Sequence, residues 1–308
     1  AGAAVAAGLG PLALGTDGGG SIRIPASYCG LFGIKPTFGR VPSWPQDSAY
    51  STLVSSGPLS RNVADAARML NVITRPDYRD WYALPPEKVD YLDQLSRRVK
   101  GLRIGYSPSL GGAKVTPEVA GIVAKAIDTF ADLGAHVEIV DDIIEPLRPR
   151  FEDYWVAGFA AIYRNVPVGM RDHLDPGFRK LAERGLSVDL EGYYKGLAAR
   201  VTLAEEFSRF YENHDLLMTP TMPSTAPKAD VIYHSETFDR WNDAVPYTVP
   251  FNLTGLPAAS VPAGLDSRQL PVGLQIVGPR FAEFRILAAA AAFEQVRPFP
   301  TLLKPGND

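Results

Sequence analysis

Residues 102–140 place a strand, a capped helix and a second strand in immediate succession, which restricts the fold to a sheet with parallel pairs covered by helices. Leu102-Arg-Ile-Gly-Tyr106 reads as a short strand. Thr116-Pro-Glu118 then opens a helix, with Thr116 at the cap and Pro117 in the first turn, where its missing N–H costs nothing. The apolar face of that helix is Val119, Ile122, Val123, Ala126, Ile127, Phe130 and Leu133, and Gly134 stops it. His136 to Val140 alternate as the returning strand.

The remaining elements follow from the same patterns. Val63, Ala66, Ala67, Leu70 and Ile73 predict an amphipathic helix with Asn62 as its N-cap. Residues 151–214 are mostly helical in pattern, and Asp215 to Pro220 return to a strand. Ala259-Ser-Val-Pro262 and Val272 to Val277 read as a later strand pair around a turn at Gly264 to Pro271, and Ile286 to Val296 close as an Ala-rich helix. The chain begins at Ala1 without Met, inside what reads as a helix rich in Ala and Gly.

Composition removes several classes of function. Lys and Arg total 31 against 34 Asp and Glu, a net charge of −3 with no basic block, so a nucleic-acid partner held through phosphates is not expected. The lone Cys29 forms no intrachain disulfide and no Cys/His cluster has zinc spacing, which suits a reducing, cytoplasmic setting and no metal. Residues 1–16 are uncharged but lack the basic start of a secretory signal. Ala244 to Leu265 are uncharged too, yet four prolines there would leave too many backbone groups unpaired for a membrane span. That stretch reads as buried irregular structure and short strands. With 28 glycines and 27 prolines the chain holds many tight turns but stays below low-complexity content.

The chemistry is concentrated in Gly15-Thr-Asp-Gly-Gly-Gly-Ser-Ile-Arg23. Three successive glycines followed by a hydroxyl can aim backbone N–H groups at the oxygen of an attacked carbonyl, which is what an oxyanion hole requires. The same run can be a plain turn. A phosphate loop would need a following Lys, and none is there.

The run from Gly15 to Arg40 closely resembles the core signature of the amidase signature family of serine hydrolases. Gly57-Pro-Leu-Ser-Arg61, Asp215-Leu-Leu-Met-Thr-Pro-Thr-Met-Pro223, Asn252-Leu-Thr-Gly-Leu-Pro-Ala-Ala-Ser-Val-Pro-Ala-Gly264 and Leu270-Pro-Val-Gly-Leu-Gln-Ile-Val-Gly-Pro279 are similar to further family segments, in family order. The resemblance implies one α/β domain over residues 1–308, a mixed, largely parallel-containing β-sheet covered by α-helices, with the N-terminal part of the domain missing. It implies hydrolysis of a small-molecule carboxamide through an acyl-enzyme, releasing ammonia or an amine, with no cofactor. Ser21 matches the nucleophile, and Gly18, Gly19 and Gly20 match positions whose N–H groups, with that of Ser21, hold the oxyanion. Asp17 and Arg23 match residues that hold the loop, a role that ordinary ion pairing would also explain.

A serine is a weak nucleophile until a base takes its proton. The family uses a neutral Lys acting through a bridging Ser, and a Lys is neutral near pH 7 only when burial or positive neighbours lower its pKa. The resemblance puts the bridging Ser immediately before Ala1 and the Lys further upstream. Lys35 matches another family position and is not that base. The chain is therefore expected to be the C-terminal part of an amidase, inactive or nearly so alone. Gly18 also departs from the family, which often has a larger residue there.

Four other readings stand beside this one. A Ser–His–Asp hydrolase would draw on His136, His173, His214 or His234, but Gly19-Gly-Ser-Ile-Arg23 is not a nucleophile elbow. A Cys29 nucleophile has no His near it in sequence. The chain would otherwise be the A subunit of a glutamyl-tRNA amidotransferase or an amidase-like scaffold without activity, and homo-oligomerisation is compatible with any of these. Specificity is expected from Tyr154, Trp155, Phe159, Tyr163, Tyr193 and Tyr194, unless these aromatics only pack helices together.

Overall fold

The structure, a computed structural model, describes residues 1–45, 50, 52–141, 143–231 and 244–300; His234 lies outside the described residues. The chain starts with helix α1 (Gly2–Ala6), strand β1 (Leu12–Asp17), helix α2 (Arg23–Tyr28) and strands β2 (Phe32–Lys35) and β3 (Ser55–Ser60). Helix α3 (Val63–Ile73) follows, and the Asn62 side chain caps it by accepting from the Asp65 N–H at 2.7 Å.

The expected strand–helix–strand unit is β4 (Arg103–Tyr106), α4 (Pro117–Asp132) and β5 (His136–Ile139). Thr116 occupies the cap position, but its hydroxyl makes no cap bond; its N–H donates to the Pro223 carbonyl at 2.9 Å. Gly134 ends the helix with φ of 85°, a conformation other residues rarely adopt.

Helices α5 (Arg148–Arg164), α6 (Pro176–Gly185) and α7 (Leu190–Asn213) form the charged middle, the last two capped by the carboxylates of Asp175 and Asp189. Strand β6 (Leu216–Pro220), helix α8 (Val249–Leu253), strands β7 (Ala258–Leu265) and β8 (Pro271–Val277) and helix α9 (Glu283–Val296) complete the described chain. Strand β7 is longer than its pattern suggested, so the turn narrows to residues 266–270, where the Asp266 carboxylate accepts from the N–H groups of Arg268 and Leu270.

Among the described residues the strands form one sheet in the order β1-β3-β2-β7-β8-β6-β4-β5. It is mixed, as expected, but not largely parallel: β4 pairs in parallel with β5 and β6, and the other pairs are antiparallel. For β7 and β8 the cause is local, since a turn as short as theirs can join only antiparallel strands.

Both faces of the sheet are buried. Leu216, Met218, Leu274 and Ile276 pack into a core with residues of α3, α4 and α9. Leu217 and Val277 pack on the opposite face with Phe151, Trp155, Phe207 and Phe251 from α5, α7 and α8. Double-sided burial replaces strict alternation with continuous apolar runs such as Leu216-Leu-Met218. No helix among the described residues is long and apolar enough to cross a membrane.

Candidate active site

Strand β1 delivers Asp17 to the interior, and the chain then turns through three glycines to Ser21 before α2 begins. The buried Asp17 carboxylate organises this turn. It accepts from the N–H groups of Gly20 at 2.7 Å, Ile22 at 3.3 Å and Arg23 at 3.4 Å. The Arg23 guanidinium closes on it in a fork, Nε and Nη2 each at 2.9 Å, and both side chains are fully buried.

Arg23 also donates to the Thr248 carbonyl at 2.8 Å, Gln275 Oε1 at 2.9 Å and Asn252 Oδ1 at 2.6 Å. Asn252 in turn donates to Asp17 and to the Leu53 carbonyl. Burial pushes the Asp17 carboxyl up, but Arg23, with smaller help from Lys35 and Asn252, more than offsets this and holds it at about 2.

Gly20 has φ of 128°, and a β-carbon there would lie 2.6 Å from Thr248 Oγ1 and 2.7 Å from Ile24 Cδ1, so the position admits only glycine. The neighbouring sites are less strict. A β-carbon on Gly19 would meet Trp155 at 3.2 Å, and one on Gly18 would meet Val54 at 3.1 Å, the kind of contact a small shift relieves.

Ser21 is exposed and lines a cavity of about 180 Å³ together with Gly18, Gly19, Ile24, Tyr50, Val54 and Trp155. The N–H groups of Gly18, Gly19 and Ser21 have no hydrogen-bond acceptor among the described residues. Gly20 requires a correction: the resemblance counts its N–H among the oxyanion donors, but Asp17 Oδ1 already engages it. A donor bound to a buried carboxylate is not free for a substrate oxygen.

Of the six aromatics expected around the substrate, Trp155 lines the cavity, and Phe159 stands behind it at 6.1 Å between ring centroids. Tyr154 turns instead to Arg200, which donates to its hydroxyl at 3.0 Å. Tyr193 packs on Tyr154, Tyr163 lies under Arg171, and Tyr194 is exposed. The sequence reading missed Tyr50, whose hydroxyl donates to the Trp155 carbonyl at 3.0 Å and whose ring packs 5.4 Å from that of Trp155. Nothing periodic marks a tyrosine in the loop before β3.

The rival nucleophile and bases among the described residues lie elsewhere. His136 belongs to β5, at the opposite edge of the sheet from β1. His214 stacks on Phe210 with its Nε2 3.3 Å from Glu138, and His173 ends a short 3₁₀ turn. Burial pushes the Cys29 thiol up, away from the reactive thiolate. None of the described residues lining the cavity is a His, Lys, Asp or Glu.

Lys35 is fully buried in β2 and donates to the Pro36 carbonyl at 2.9 Å, outside the cavity lining. Burial, then the Arg23 charge, lower it to about 7, against the opposing pull of Asp17 and Glu283. Its ordinary value is 10.5, so between these limits the unfolded chain binds more protons and stability rises with pH. Exchange of Lys35 for Met removes that titration. The urea midpoint of the wild type is expected to rise relative to K35M as pH increases from about 7 to about 10, and parallel curves would contradict the burial argument.

The sequence profile of the Amidase family matches residues 1–287. The chain is 35% identical over 320 residues to the A subunit of the glutamyl-tRNA(Gln) amidotransferase of Halothermothrix orenii, covering 95% of this chain and 66% of that one. It is also 35% identical over 309 residues to an acylamidase of Rhodococcus erythropolis, covering 97% of this chain and 64% of the relative. Among solved structures, a bacterial aryl acylamidase of the amidase signature enzymes superposes with a TM-score of 0.85 at 32% identity, over 97% of this chain and 65% of that one. The chain thus spans slightly less than two thirds of the length of these relatives. The profile match over nearly the whole chain, together with these relatives, means that the chain belongs to the amidase family, the amidase signature enzymes.

Proposed function

We propose that this chain carries the nucleophile and the oxyanion site of an amidase acting on carboxamides with an uncharged, apolar acyl group. Ser21 Oγ attacks the amide carbon while its proton passes to a base. The carbonyl oxygen becomes an oxyanion facing the N–H groups of Gly19 and Ser21. The C–N bond then breaks, the leaving nitrogen takes the proton, and an ester to Ser21 remains. Water cleaves that ester, giving the acid and returning the proton to Ser21.

The observation that carries this reading is an exposed hydroxyl beside a cavity lined by Gly18, Gly19 and Ser21, whose N–H groups have no protein acceptors among the described residues. Asp17 and Arg23 hold the loop in shape. The Gly20 N–H serves that scaffold rather than the substrate. Because the described lining holds no base, the proton acceptor in this proposal is the family's Lys and bridging Ser, supplied by residues outside positions 1–308.

The substrate class follows from the walls. Ile24, Tyr50, Val54 and Trp155 present hydrocarbon and aromatic surface and, among the described residues, no charge. Such a cavity favours an alkyl or aryl acyl group over the zwitterionic head of glutamine, whose charges would go unpaired there. Glutamine hydrolysis beside a tRNA-binding partner is the second reading, favoured by the named activity of the amidotransferase relative.

Ammonia and amine release by the complete gene product, measured over a panel of aliphatic amides, anilides and glutamine, separates the two. Higher kcat/KM for neutral apolar amides supports the proposal. Preference for glutamine supports the second reading. A folded protein inert toward every member of the panel overturns both and leaves an amidase-like scaffold.

A further inference from the structure

We infer that Thr248 is a positioning residue that fixes the direction of the Gly19 oxyanion donor by locking the Gly19–Gly20 peptide plane. The inference rests on the amidase reading of Ser21 and adds a residue 227 positions further along the chain.

In a trans peptide the C=O and N–H point in opposite directions, so anchoring both ends fixes the whole plane. Both ends of this plane are anchored. The Thr248 hydroxyl donates to the Gly19 carbonyl at 2.7 Å, and the Gly20 N–H donates to Asp17 Oδ1, also at 2.7 Å. All four residues are buried. The planes on either side carry the Gly19 N–H and the Ser21 N–H, neither of which has an acceptor among the described residues. The Gly20 carbonyl of the second plane accepts from the Ile24 N–H at 2.7 Å, so that plane is held independently and locking the central plane bears on the aim of the Gly19 N–H.

A lock is needed because glycines offer little resistance to peptide rotation. Gly18, Gly19 and Gly20 follow one another, with Gly20 already at φ of 128°. Asp17 alone restrains the N–H end; without the Thr248 hydroxyl the Gly19 carbonyl would be buried with no donor among the described residues. Thr248 is also joined to the rest of the scaffold, since its own carbonyl accepts from Arg23 Nη1 at 2.8 Å. One residue thus holds the loop through its side chain and the buried ion pair through its backbone.

The test uses the complete gene product and an amide that it turns over. Thr248→Val keeps the volume and removes the donor, whereas Thr248→Ser keeps the donor and removes a methyl group. A single misaimed donor costs part of the ~10²- to 10³-fold attached to an oxyanion N–H. T248V is expected to lower kcat roughly 10- to 100-fold with KM changed less than about twofold, and T248S to stay within about threefold of wild type. Affinity for a trifluoromethyl ketone, which forms a tetrahedral adduct, is expected to fall in step with kcat/KM, while affinity for the product acid holds.

Equal losses in T248V and T248S, a change in KM alone, or parallel losses of ketone and acid affinity would overturn the inference, because packing rather than the hydroxyl would then be responsible. If T248V does not fold, Thr248→Ala is read in the same assays against T248S. Absence of turnover by the wild type on every amide defeats the amidase reading itself, a result distinct from wild-type activity with an unaffected T248V.

Discussion

Exchange of Ser21 for Ala is expected to lower amide hydrolysis by the complete gene product roughly 10⁴- to 10⁶-fold, with the melting temperature kept within about 2 °C. The two halves of that expectation have separate origins. The rate falls because no other Ser, Thr, Cys or Lys among the described residues lines the cavity, and the Tyr50 hydroxyl there is engaged with the Trp155 carbonyl. The fold holds because Ser21 is exposed and its hydroxyl makes no hydrogen bond among the described residues. The backbone donors survive the substitution, so any residual rate measures what the oxyanion site achieves alone. Turnover within tenfold of wild type would remove Ser21 from the mechanism.

The largest effect on stability is expected from Arg23→Met. The exchange leaves the Asp17 carboxylate buried without its counter-charge and strips donors from Asn252, Gln275 and the Thr248 carbonyl. Breaking one side of a buried pair costs about 3–5 kcal/mol. In the wild type the Asp17 value of about 2 lies below its ordinary 3.8, so its stabilising contribution is present above pH 3.8 and is lost as pH falls towards 2. In R23M the sign reverses, because burial unopposed by Arg23 raises the carboxyl and favours its protonated form. The gap in urea midpoint between the two proteins is therefore expected to narrow from neutral pH to about pH 4. Adding Asp17→Asn to R23M should recover part of the loss, and a double variant no more stable than R23M would show that charge is not the cause.

The fold was legible where local patterns coincide with tertiary burial. Asn62 before α3, and Thr116-Pro117 before α4 with Gly134 after it, mark boundaries that the structure keeps. Strands β1, β2 and β3 carry no comparable pattern. Ser55-Ser-Gly-Pro-Leu-Ser60 is almost entirely buried yet poor in β-branched residues, because its pairing with β1 and β2 and the helices beside it decide its state.

The site divides in the same way. Residues 17–23 are contiguous, so the turn and its hydroxyl could be read in one pass. Its supports could not. Thr248, Asn252 and Gln275 reach Arg23 from 225 to 252 positions away, and Tyr50 meets Trp155 across 105 positions. No periodicity links residues that only the sheet order brings together. The engagement of the Gly20 N–H by Asp17 is likewise a matter of backbone direction, which composition does not encode.

Reaction of the complete gene product with a fluorophosphonate, followed by intact mass and peptide mapping, bears on the central claim most directly. The account predicts one adduct per chain, formed with loss of fluoride, on the Ser21 hydroxyl, slowed by prior addition of a turned-over amide and absent from Ser21→Ala. An adduct mapped to any other residue, or full amide turnover by protein that never labels at Ser21, would contradict it.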